Sequence, residues 1–193
     1  MTMTSASSAL RRLALLVALL PACTGGDEAA SGGGRAPTTC NAAEMPFGTT
    51  PGTSSLPDLP LADCTGERST LADLRCGAQL TFVSFGAGWC EPCRAEAPAL
   101  QEASVELAAE GVVVAQVMFQ DADARPATTQ FCQSWRDELD LTIPVFIDPV
   151  ENSTALFDVS GTPLNVIVDR DGRVLWSKAG RVDDVTGAIT PYL

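Results

Sequence analysis

Trp89-Cys90-Glu91-Pro92-Cys93 follows an apolar run, Leu80 to Phe85, that reads as a strand, and it opens a segment with the character of a helix. Two residues between the cysteines let both sulfurs share the first helical turn. There the thiolate of Cys90, expected to be partly exposed, faces the positive end of the helix dipole, and Cys93 is placed to resolve a mixed disulfide formed by Cys90. Pro92 stiffens the turn, and Pro98, five residues after Cys93, predicts a kink. The pattern implies a redox-active dithiol at a strand-to-helix junction.

Further along, Gly161-Thr162-Pro163 precedes a strand, Leu164 to Asp169, a turn, Asp169-Arg170-Asp171-Gly172, and a returning strand, Val174 to Ser177. With the W-C-x-P-C stretch and the lead-in Phe82 to Trp89, this order resembles the thioredoxin superfamily, and within it the extracytoplasmic, membrane-tethered TlpA/ResA-like branch. The resemblance runs from Leu56 to the C-terminus. It implies an α/β fold, with a central mixed sheet flanked by helices, an N-terminal β-hairpin and a TlpA-like insertion before the Thr162-Pro163 loop. It also implies a cis peptide at Pro163, with Trp89, Thr162 and Pro163 meeting an extended substrate segment.

Six residues before Cys90, where cytosolic thioredoxins carry a buried aspartate, this chain has Ser84, which cannot accept a proton in that role. Glu96, one helical turn after Cys93, matches a glutamate of ResA-type reductases and is the candidate for handling the proton of Cys93, with a pKa raised by burial. Glu91 and Pro92 are candidates for redox tuning. A carboxylate between the cysteines opposes the Cys90 thiolate and favours the disulfide, hence a reductant. Arg94 opposes this effect if it points at the sulfurs.

Arg11-Arg12 and the apolar Leu13 to Leu20 form a signal-peptide pattern, too short to span a bilayer, that ends at Leu20-Pro21-Ala22-Cys23. Residues 1–22 therefore read as a signal peptide and Cys23 as a lipidation site. From there to residue 55 the Gly-, Ala-, Ser-, Thr- and Pro-rich chain reads as a tether, its second half pinned by Cys40. Residues 56–193 form the thioredoxin-like domain. Setting aside Cys23 and the dithiol leaves Cys40, Cys64, Cys76 and Cys132, an even number that suggests two structural disulfides with three possible connectivities.

Removing residues 1–22, which hold two arginines and no acidic residue, takes the formal charge from −12 to −14 and excludes a general nucleic-acid binder. The chain has no histidine, which argues against zinc and copper sites. Asp121 and Asp123, just after the predicted strand Val112 to Phe119, read as a solvated loop. A helix is expected from Cys90 to about Glu110, ended by Gly111, and another over Ala127 to Leu139 with Phe131, Trp135 and Leu139 on one face.

By resemblance, the implied activity is cofactor-free reduction of disulfides in exported proteins, such as clients in cytochrome c maturation or copper-site assembly. A membrane electron donor of DsbD or CcdA type would re-reduce the dithiol. The implied location is extracytoplasmic, on a lipid anchor at the periplasmic face. Two alternatives are a non-catalytic lipoprotein scaffold with an inert Cys90–Cys93 disulfide and a peroxiredoxin-like peroxidase. The peroxidase is disfavoured because Phe85-Gly86-Ala87-Gly88-Trp89-Cys90 lacks the P-x-x-x-T-x-x-C arrangement.

Overall fold

The computed structural model describes residues 40, 43–156 and 161–193. Residues 1–22, expected to be a signal peptide, and Cys23, the expected lipidation site, lie outside the described residues. Seven strands form one mixed sheet: β1 (Pro60–Asp63), β2 (Arg68–Thr70), β3 (Leu80–Ala87), β4 (Val112–Gln120), β5 (Val145–Ile147), β6 (Leu164–Asp169) and β7 (Val174–Ala179). Their order is β2-β1-β5-β4-β3-β6-β7. The central strands β3, β4 and β5 run parallel, with β6, β7, β1 and β2 antiparallel to their neighbours. This is the thioredoxin fold, with the N-terminal hairpin β1-β2 added at the β5 edge.

Alternation along the strands explains why both faces are covered. Phe82, Val114, Met118 and Ile167 point to one face and pack with Leu100, Trp135 and Ile189, from helices α2 (Glu91–Glu106), α3 (Thr129–Glu138) and α4 (Val185–Ile189). Val83, Phe85, Ala115, Val117 and Val166 point to the other face, against Leu56, Leu59 and Leu71, the first residue of α1 (Leu71–Cys76). Near-continuous apolar runs are what a parallel strand buried on both faces requires.

Several elements differ from the sequence expectation. The sequence places the N-terminal hairpin over Leu56 to Leu71, turning at Thr65-Gly66-Glu67. The paired strands are shorter, because Thr70 instead caps α1: its hydroxyl accepts from Asp73 N–H while the Asp73 carboxylate accepts from Thr70 N–H. The long helix ends at Glu106 and gives way to a 3-10 turn, Ala108–Glu110, closed by Gly111 at φ 73°. After β5 the sequence predicts a short helix near Ser153 to Phe157; the chain there forms a 3-10 segment, Asn152–Leu156, and Phe157 lies outside the described residues.

Residues 43–55 are fastened to the β6-β7 hairpin. Ala43 N–H donates to Asp171 O at 2.9 Å, Gly52 N–H to Val174 O at 2.8 Å, and Ser54 and Ser55 are buried. Cys40 is bonded to Cys76 at the end of α1, and Cys64 to Cys132 of α3, which selects one of the three open connectivities. The turn between β6 and β7 is built as expected, with Asp169 Oδ1 accepting from Asp171 N–H and Arg173 N–H, both at 2.9 Å, and Gly172 at φ 82°.

Candidate active site

β3 ends at Ala87, and the chain turns at Gly88-Trp89 into α2, for which Cys90 is the N-cap. Cys90 and Cys93 are joined in a disulfide, and Cys90 Sγ accepts from Cys93 N–H at 3.1 Å. Cys90 is only 2% exposed in this oxidised form, so the expected partial exposure of its sulfur is not observed. Ala87 and Phe119 pack around the two sulfurs and shield them. Gly86 is required by close approach: a Cβ there would lie 2.9 Å from Cys93 Sγ.

The Thr162–Pro163 peptide is cis, as the resemblance implies, and both residues are buried. Leu164, the first residue of β6, pairs with Phe85, so the 161–163 loop leaves the sheet at the end where β3 delivers the dithiol. Trp89 is 41% exposed beside the disulfide, its ring edge-on to Phe119 at 6.3 Å. Glu91 and Pro92 are exposed, so water screens any effect of the Glu91 charge on Cys90. Arg94 does not offset it. Its guanidinium bridges to Glu138 at 3.2 Å and lies 4.8 Å over the Trp135 ring, on the outer side of the helix.

Glu96 is fully buried, three residues after Cys93. Its Oε1 accepts from Asn165 Nδ2 at 2.8 Å and from Val182 N–H at 2.6 Å, and its Oε2 is 2.8 Å from Ser84 Oγ. Burial pushes its pKa above the ordinary glutamate value; the bonds from Val182, Ser84 and Asn165 and the charge of Lys178 offset part of that rise. Ser84 and Asn165 are direct partners across the β3-β6 ladder, which is why one carboxyl reaches both. Asn165 and Val182 carry no short-range signal in the sequence. They are 69 and 86 residues from Glu96, and only the sheet register brings Asn165 to it.

At the other sequence candidates the chemistry is structural. Asp121 Oδ1 accepts from Asp123 N–H and Arg125 N–H and shapes its own loop, while Asp123 pairs with Arg125 at 3.2 Å. Cys64 and Cys132 are buried between β1 and α3. A cavity of about 510 Å³, lined by Asp63, Arg68, Arg136 and Phe146 among others, lies at the opposite end of β5 from the dithiol.

A mixed sheet of this order, a cystine capping a helix and a cis-proline loop at the same sheet end together define a thioredoxin-fold protein with a Cys-x-x-Cys centre. The chain belongs to the AhpC/TSA family, whose model matches residues 53–177. It is 34% identical over 116 residues to the thioredoxin-like protein YneN of Bacillus subtilis, covering 60% of this chain and 64% of that protein. It is 28% identical over 137 residues to the thiol-disulfide oxidoreductase ResA of the same species, covering 71% and 68%. This chain thus spans roughly two thirds of each relative's length. Among solved structures, one assigned as a thiol:disulfide interchange protein DsbE from Chlorobium tepidum superposes with a TM-score of 0.59 at 25% identity, covering 76% of this chain and 94% of that one. The exposed lipoprotein thioredoxin Etrx1 of Streptococcus pneumoniae shares the fold with a TM-score of 0.58 at 24% identity, covering 71% and 100%.

Proposed function

We propose that this chain is a thiol-disulfide oxidoreductase that reduces disulfides in other exported proteins. The observation that carries the reading is the fully buried Glu96, held by three donors one helical turn behind a Cys90–Cys93 disulfide. A structural cystine has no use for an ionisable group kept beside it at a raised pKa, whereas thiol exchange must move a proton to or from a buried cysteine.

In the reduced protein the Cys90 thiolate attacks one sulfur of a client disulfide. A Cys90–client S–S bond forms, and the other client sulfur leaves as a thiolate that takes up a proton. Cys93 then gives its proton to the Glu96 carboxylate and attacks Cys90. The mixed disulfide breaks, the second client thiol departs, and Cys90–Cys93 is restored as the disulfide described above. Two electrons pass to the client, so a dithiol donor must return them. A membrane donor of DsbD or CcdA type fits a protein anchored through Cys23. The cis-proline loop offers the Thr162 backbone to an extended client segment, with Trp89 beside it.

Two cystines outside the centre, Cys40–Cys76 and Cys64–Cys132, support an oxidising, extracytoplasmic location. The lipoprotein pattern at Cys23 supports a membrane tether, and clients in cytochrome c maturation or copper-site assembly are the substrates this branch suggests. The test is trapping with insulin as the client: Cys93→Ser should accumulate an insulin adduct on Cys90, and Cys90→Ser should form none. If neither variant forms an adduct and the wild type leaves insulin oxidised, the scaffold reading replaces this one.

A further inference from the structure

A chain of hydrogen bonds runs from the exposed tryptophan of the active site into the turn after β5. Trp89 Nε1 donates to Gln120 Oε1 at 2.9 Å, and Gln120 Nε2 donates to Glu151 Oε1 at 2.6 Å. The orientation of the amide follows from its neighbours: an indole N–H can only donate and a carboxylate can only accept, so the oxygen of Gln120 must face Trp89 and its nitrogen Glu151. Gln120 is the last residue of β4, and its backbone carbonyl also accepts from Gly88 N–H at 2.9 Å. One residue therefore holds the active-site loop through both main chain and side chain.

The far end of this chain is itself anchored. Glu151 sits at φ 55° in a turn organised by the buried Asp148, whose carboxylate accepts from Ser153 N–H at 2.6 Å. Thr154 Oγ1 donates to Glu151 O at 2.7 Å, so a second bond ties the Glu151 main chain down. An exposed tryptophan on a loop would otherwise sample several rotamers, and fixing it on binding a client would cost entropy.

We infer that Gln120 and Glu151 are positioning residues for client binding: together they pre-set the Trp89 indole as a rigid apolar wall beside the dithiol. The inference rests on the exchange reading for client binding, but the bracing itself can be measured without any client. The occupant of this wall is an extended apolar or aromatic segment flanking the client disulfide, because a fixed indole offers area and no charge.

The experiment uses Gln120→Leu, which removes both bonds, and the pair Gln120→Glu with Glu151→Gln, which rebuilds both with acid and amide exchanged. Hydrogen exchange of the Trp89 indole proton is read by nitrogen-15 NMR, and the rate of insulin reduction is read beside it. Loss of the two bonds, one exposed and one part-buried, corresponds together to about a tenfold effect. Gln120→Leu should thus speed indole exchange and slow insulin reduction by about tenfold, and the exchanged pair should recover both. Unchanged indole exchange in Gln120→Leu overturns the brace. Restored exchange with insulin reduction still slow in the exchanged pair overturns its role in client binding. A wild type that leaves insulin oxidised refutes the exchange reading and the client clause with it, while indole exchange still decides the brace.

Discussion

Replacing Glu96 by Gln and by Leu separates the carboxyl's structural work from its proton chemistry. Glutamine keeps an oxygen for Asn165 Nδ2 and Val182 N–H and turns an NH2 toward Ser84 Oγ, so all three contacts survive. Leucine removes every acceptor. Asn165 retains the Gly180 carbonyl at 3.2 Å and the Ser84 hydroxyl can rotate, which leaves Val182 N–H as the donor with no second partner. An unsatisfied buried donor costs about 1–3 kcal/mol, so Glu96→Leu should lose roughly 1–3 kcal/mol and Glu96→Gln under about 1 kcal/mol. With a urea slope of about 2 kcal/mol per molar, the midpoints should fall by roughly 0.5–1.5 M and under about 0.5 M. In single turnover against insulin, Glu96→Gln should slow release of the mixed disulfide on the order of 10²-fold and flatten its pH dependence, because the acceptor for the Cys93 proton is gone. Equal destabilisation by both variants would refute the hydrogen-bond accounting. A Gln variant with wild-type release and pH profile would refute the proton role.

Three further outcomes follow from the same geometry. Glu96 holds its proton more tightly in the folded chain than in the unfolded one, so its stabilising effect is complete below the unfolded value of 4.5 and is lost as pH rises through the raised native value. The stability of wild type relative to Glu96→Gln should therefore decline from about pH 4 upward, read by urea titration at several pH values. Gly86→Ala places a methyl 2.9 Å from Cys93 Sγ inside a packed strand, and a loss of about 1–3 kcal/mol should lower Tm by several degrees. Removing Cys64 and Cys132 opens a loop with a sequence separation of 68, worth about 4 kcal/mol on the chain-entropy estimate, yet insulin reduction by the remaining folded protein should be unchanged.

The dithiol and the central strands were legible because each rests on local chemistry, a helix cap and an apolar run. The Asp169 turn and the α3 face carrying Trp135 belong to the same class. The cis isomer at Pro163, by contrast, came from the family resemblance, since an X-Pro bond is usually trans. What was not legible depends on distant pairing. The connectivity of the four outer cysteines is decided by where β1 lies against α3 and where residue 40 meets α1. Arg94 is drawn off by Glu138 and Trp135, a helix away. Thioredoxins of the cytosolic type place their buried carboxylate on the strand. Here Ser84 holds that strand position and the helix supplies Glu96, and only the β3-β6 register reveals that the serine and the glutamate form one cluster. Gln120 and Glu151 carry no local signal for the same reason, since each is 31 residues from its partner.

The most direct test of the central claim is the reduction of the three disulfides in defined thiol buffers, with each cysteine's state read by alkylation and mass. The account predicts that Cys90–Cys93 is reduced selectively, near thioredoxin's value of about −270 mV, while Cys40–Cys76 and Cys64–Cys132 stay oxidised. A Cys90–Cys93 couple that resists reduction along with the other two would contradict exchange chemistry, and a value near about −120 mV would contradict its direction.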